Sequence, residues 1–340
     1  MKTILRLAVL ALAGTAALAL AGNALATQKL SVSQTATSLT IKVSQTASDP
    51  QPAKITVYIP SGYTVNTTQA TGTTIGSTKG TVLARDAGNI SLPLAGDVIV
   101  QSPAAHVADR CSPGNNQAVW LLDLQVAGQK AQIPVYVNPT TGAAQALGAF
   151  RLDICLGPDD VPAGTPGRSP NGAHLLDATF TVQNVFTVAT GQAVWKAITT
   201  PYTPSIGAPN PGGTVETRAI VSEGTVTIAG KVTSKARRLL RLTGSVTQAG
   251  AAIAGTQVSI LVDGKARFRA RTNATGKYSV VLRKTGKKRT TTIFQARVSA
   301  GERDVTTTGC ASPTPGVPGG CVSATASAFT AVSSKIKIRL

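Results

Sequence analysis

Short runs of Val, Ile and Thr alternate with polar residues along most of the chain, separated by clusters of Gly, Pro and Asn. A period of two marks strands that turn one face to a core and the other to solvent, so the pattern predicts antiparallel sheets. Over 54–59, Ile55, Val57 and Ile59 share one face, and Lys54, Thr56 and Tyr58 share the other. Phe150, Leu152, Ile154 and Leu156 alternate in the same way against Arg151, Asp153 and Cys155, a spacing that turns Cys155 away from the core. Trp120 is in phase with Leu122, Leu124 and Val126 and reads as core.

The first segment breaks this pattern. Lys2 and Arg6 accompany an apolar run from Leu5 to Ala21, and Ala24-Leu25-Ala26 has the small-x-small form read by a signal peptidase. An export signal over 1–26 is the expectation, with an uncleaved anchor as the alternative. The run is shorter than the roughly 20 residues of a spanning helix, so no membrane span is expected in the mature chain. The remainder reads as all-β, with two antiparallel β-sandwich (Ig-like) domains at 27–205 and 214–340. Between them the Pro and Gly cluster over 206–213 reads as the linker, and 214–222 fits either side of that boundary.

Within the second half, Leu242-Thr243-Gly244-Ser245-Val246, then Ile253 to Ile260, then Thr272 with Gly276-Lys277-Tyr278-Ser279-Val280, resembles the carboxypeptidase-regulatory-like and related bacterial Ig-like domains. The resemblance covers about 226–300. It implies a sandwich of about seven strands serving as an accessory or adhesive module, with glycines at turns and the Tyr packed at the start of a strand. No catalytic residue is implied by it, and the first half resembles no known family.

Charge changes the picture most. The chain carries 33 Lys and Arg against 14 Asp and Glu, a net +19. After the signal, 27–212 carries 10 basic and 9 acidic residues, and 213–340 carries 21 and 5, so the two halves stand at +1 and +16. Self-repulsion of that size calls for an anionic neighbour. Lys265, Arg267, Arg269 and Arg271 alternate with Ala266, Phe268 and Ala270, which on a strand lines four cations on one face, about 6.6 to 6.8 Å apart, with Phe268 inward. Lys335, Lys337 and Arg339 alternate with Ile336, Ile338 and Leu340 in the same way. Lys284, Lys287, Lys288 and Arg289 surround a hairpin glycine.

Converging stripes would form a basic sheet face with salt-dependent affinity for an anionic envelope polymer or acidic glycan. The competing reading is a set of solvated faces whose Lys and Arg guard strand edges. No nucleic-acid partner is expected, because export removes most of it and stacking aromatics are missing.

Four Cys in an exported chain fit two disulfides with three possible connectivities, of which proximity favours Cys111 with Cys155 and Cys310 with Cys321. His106 and His174 each precede an Asp by three residues, and in a strand residues three apart project to opposite faces, which separates His174 from Asp177, so a catalytic role is not expected. Asp159 and Asp160 in a Pro and Gly-rich loop raise the question of Ca²⁺, although the spacing of a dedicated calcium loop is missing and turn chemistry explains them. Trp195 and Tyr202, beside the linker, are the candidates for a sugar contact. No cofactor is expected. The reading is a secreted, non-catalytic binding or structural protein. Two alternatives are a surface adhesion protein acting through protein contacts and a hydrolase with a site between His106 and His174.

Overall fold

The computed structural model describes residues 28–187, 191–236, 238–283, 290–306 and 323–339. It is all-β, with only single turns of 3-10 helix. The export signal, the Lys284–Arg289 cluster, Cys310 and Cys321 lie outside the described residues.

The chain opens with β1 (Lys29–Gln34), β2 (Ser38–Ser44), β3 (Pro52–Ile59) and the short β4 (Thr64–Val65). Long strands follow: β5 (Thr74–Ala84), β6 (Ile90–Gln101), β7 (Ala118–Val126) and β8 (Gln129–Pro139). Then come β9 (Phe150–Cys155), β10 (Ala173–Gln183), β11 (Phe186–Thr187), β12 (Ala193–Pro201) and β13 (Val215–Val221). Next are β14 (Gly224–Val226), β15 (Ala229–Ser234), β16 (Leu239–Gln248), β17 (Ala251–Ala252) and β18 (Gln257–Val262). The last are β19 (Lys265–Arg271), β20 (Lys277–Arg283), β21 (Thr291–Ala300), β22 (Arg303–Thr306), β23 (Ser323–Ala326), β24 (Phe329–Val332) and β25 (Ile336–Arg339).

Thirteen of these form one sheet in the order β1-β2-β10-β5-β6-β7-β8-β9-β3-β12-β13-β23-β22. It curls until its ends meet: Lys29 on β1 pairs with Asp304 on β22 at 2.6 Å, and Ser31 hydrogen-bonds Glu302. The alternating apolar positions of nearly every strand then face a single interior, from Leu30 and Ile41 through Val57, Val98 and Trp120 to Trp195 and Ala219. Glycine permits the curl. A Cβ on Gly96 would stand 2.0 Å from the backbone oxygen of Asp123, so only a bare backbone fits where β6 meets β7.

A second cluster of buried side chains, including Leu240, Leu242, Val258, Ile260, Tyr278 and Phe294, lies between two five-stranded sheets. One holds β14, β16, β15, β17 and β20; the other holds β19, β18, β21, β24 and β25. This arrangement is sandwich-like. Tyr278 begins β20 with its ring buried, and its hydroxyl donates to Thr227 O at 2.5 Å. Burial pushes that phenol up to about 12. Gly276, two residues earlier, turns the chain at φ 70°, which an L side chain adopts only with strain.

Two boundaries differ from the expectation. The cluster over 206–213 does not separate the cores: it joins β12 to β13, which are antiparallel neighbours in the large sheet, and Thr203 N–H donates to Ala208 O within the loop. Pro and Gly mark a hairpin loop as readily as a linker. The chain instead passes to the second cluster between Val221 and Gly224. After β21 it returns to the first, where β23 lies parallel to β13 and β22 pairs with β23, and it then goes back for β24 and β25. The strands around the second core are therefore 224–300 and 329–339, and β22 and β23, counted with the second half from sequence, complete the first sheet.

Candidate functional site

Divided at these observed boundaries, the charge separates further. The stretch 224–300 together with 329–340 contains nineteen Lys and Arg and a single acidic side chain, Asp263. The rest of the chain after the signal contains twelve basic and thirteen acidic residues, so the two parts stand at +18 and −1. Asp263 sits at the β18–β19 turn, where its carboxylate accepts the Ile293 N–H at 3.1 Å. Asp263 is thus the one acidic side chain that these nineteen cations have within their own part.

Strand register decides where the cations point. On the β19-containing sheet, Val258 and Ile260 face the core, so Ser259 faces outward. Arg269 pairs with Ser259 and Arg271 with Gln257, which puts both arginines on the outer face. Arg297 on β21 also pairs with Ser259, and Lys337 and Arg339 on β25 lie opposite Ile293 and Thr291, positions in phase with Arg297. Arg269, Arg271, Arg297, Lys337 and Arg339 thus share one exposed face. Arg269 and Arg297 flank Ser259 in one row, about 9.6 Å apart from the usual strand spacing.

The four-cation stripe expected on β19 is interrupted. A bulge between the pairs Ile260–Phe268 and Leu261–Ala266 leaves Arg267 as the extra residue and reverses the alternation beyond it. Lys265 consequently pairs with Val262, on the core side of the sheet. Phe268, expected inward, is 42% exposed, because β19 is the edge strand and covers little. Lys335 lies in the connection between β24 and β25, exposed but off the strand. Of the seven expected residues, then, Arg269, Arg271, Lys337 and Arg339 come together, Arg267 is the bulge residue, Lys265 lies on the other side of the sheet and Lys335 off the strand, and Arg297 joins from a strand whose single cation carried no pattern.

The opposite sheet is basic as well. Lys231 on β15 and Arg241 on β16 stand directly opposite each other, both exposed, and Arg241 is followed across the sheet by Val281, with Arg283 and Lys277 in phase.

Cys111 and Cys155 are joined. Cys155 pairs with Lys54, on the face opposite the core-packed Ile154, as its spacing predicted. That face is itself covered. Asp153 is buried there between Lys54 Nζ at 2.9 Å and Thr56 Oγ1 at 2.7 Å. Nearby, Asp109 Oδ2 lies 2.7 Å from His106 Nδ1 and accepts the Tyr136 hydroxyl at 2.9 Å. Burial works to raise the Asp109 carboxyl, but the His106 and Tyr136 hydrogen bonds outweigh it and hold it below the usual range.

His174 does not meet Asp177. Its Nδ1 lies 2.8 Å from Asp159 Oδ2, which Arg85 Nε also contacts at 2.5 Å, and the imidazole is fully buried. Burial pushes the Asp159 carboxyl up, and the contacts from His174 and Arg85 more than reverse this. The inward turn of Asp159 leaves Asp160, which accepts the Ser205 N–H, without its neighbour for a shared cation. Among the described residues no group of three His, Cys, Asp or Glu is placed to hold a metal ion. Trp195 and Tyr202, expected to contact sugar, are buried: Trp195 packs edge-on against Tyr63 at 5.0 Å, and the Tyr202 hydroxyl donates to Leu156 O.

No protein-family model matches the chain, and comparison with curated proteins finds no match. No helix among the described residues is long and apolar enough to cross a membrane.

Proposed function

We propose that the protein is an exported, non-catalytic binding protein whose cationic C-terminal Ig-like sandwich associates with an anionic envelope or extracellular polymer and so holds the near-neutral N-terminal part in place. One observation carries this reading: nineteen basic residues share their part of the chain with one acidic side chain, and five of them occupy a single outer sheet face. A folded module gains nothing in stability from such a surface, which repels itself, whereas a polyanion lying across it would relieve the repulsion and release counterions. The likeness of 226–300 to carboxypeptidase-regulatory-like modules agrees with an accessory role, with Tyr278 buried at its strand start and Gly276 at the turn.

Sedimentation of the mature chain with purified cell walls, from 50 to 500 mM NaCl, tests the reading. Retention should fall steeply with salt, and Arg269→Glu with Arg271→Glu and Arg297→Glu should flatten the logarithmic salt dependence by about 0.7 for each cation removed from the polymer. Equal, salt-independent retention of both proteins would reject it. That result would favour adhesion through protein contacts, for which the exposed Phe268, Val281 and Val332 supply apolar footing among the cations.

A further inference from the structure

The large sheet encloses more space than its side chains fill. Along the core side several cross-strand neighbours are small: Ala178 faces Gly80 between β10 and β5, Thr78 faces Gly96 between β5 and β6, and Ala131 on β8 lies two strands beyond Gly96, across Leu124. The result is a cavity of about 370 Å³ walled by apolar side chains such as Ile41, Val57, Leu122, Leu152 and Phe180. Native cores hold few voids larger than a water molecule, whereas pockets for small ligands begin near 300 Å³. Ala131, Ile133, Ile154, Ala178 and Phe180 point coreward yet are only half-buried, because the cavity and not protein lies in front of them.

The mouth is a split in the sheet. β8 pairs with β7 from Gln129 to Val137, but with β9 only from Val135 onward, so Gln129–Pro134 has a strand neighbour on one side alone. Lys130, Gln132 and Arg168 line the cavity at this opening, while the interior beyond is mainly apolar, with Gln51 and Thr78 its polar exceptions. A polar rim leading to an apolar interior suits a molecule with one polar end and one hydrocarbon body. At about 30 Å³ for each water-sized group, the volume takes a chain on the order of ten carbons.

We infer that this cavity binds a single alkyl chain of about ten to twelve carbons, inserted tail first, with its polar end at the Lys130–Arg168 mouth. The site is independent of the cationic sandwich, so an uncharged ligand separates the two. The mature chain is titrated with the neutral fluorophore N-phenyl-1-naphthylamine, which is then displaced by 1-decanol. Saturable one-to-one binding with a micromolar dissociation constant is expected, along with complete displacement. Filling the cavity by Ala131→Phe or Ala178→Phe should weaken both ligands at least about tenfold while wall-polymer retention stays unchanged. Ala178→Val, a smaller step at the same wall, should weaken them about threefold and serves where a phenylalanine prevents folding. Absence of saturable binding to the unsubstituted chain would overturn the inference, as would equal binding by folded cavity-filling variants.

Discussion

Thr78 illustrates how one hydroxyl can be a burden in an apolar wall. It is 1% exposed on the cavity floor, and its Oγ1 has no hydrogen-bond partner among the described residues. A buried donor left unmade costs about 1 to 3 kcal/mol, and replacing it with an apolar group of the same shape removes that cost. Thr78→Val should therefore raise the free energy of unfolding by about 1 kcal/mol, read as a higher denaturant midpoint at an unchanged slope. Asp159 is the opposite case. Its depressed carboxyl, held by His174 and Arg85, contributes stability that is complete above about pH 4, where the unfolded carboxyl is ionised, and is lost as pH falls through the lower folded value. Asp159→Asn should cost about 3 kcal/mol at pH 7 by leaving Arg85 and His174 unmatched, and should flatten the acid limb of a stability–pH curve measured between about pH 5 and 2. Neither residue was legible as such: Asp159 reads as a turn residue, and only the fold brings His174 to it from fifteen positions away.

At the level of strands, alternation told which residues face inward wherever a strand is regular. Ile55, Val57, Leu152 and Trp120 are buried as their period predicted, and Cys155 faces away from Ile154. The signal failed on β19, where a bulge is invisible to alternation because it inserts a residue without changing the sequence pattern. It also failed at 206–213, where composition marks a break in regular structure but says nothing of whether the flanking strands rejoin. The Cys111–Cys155 bridge spans 44 residues. Loop-closure entropy makes it worth about 4 kcal/mol, so the double Ser substitution should lower stability by that order in a guanidinium titration. The directly opposed Lys231 and Arg241 give the converse test. Lys231→Glu turns a like-charge pair into an attractive one and should stabilise the chain by about 0.2 to 1 kcal/mol in low salt, with the gain fading at about 500 mM NaCl.

For the molecule as a whole, the division of charge was visible from the residues alone, and the fold widened it by handing Glu216, Glu223, Glu302 and Asp304, with Arg218 and Arg303, to the near-neutral part. What no reading of the sequence supplies is the reason for that transfer, which is topological: β22 and β23 leave one core to finish the edge of the other's sheet. The backbone therefore crosses between the two bodies three times, near 222–224, 300–303 and 326–329, with Gln248 Nε2 donating to the carbonyls of Ser222 and Ser327 at the junction. A chain threaded in this way is stitched and not hinged. A protease that severs any one of the crossings leaves the halves fastened by the others, and a tug on the cationic end is shared among parallel tethers before either core is asked to open.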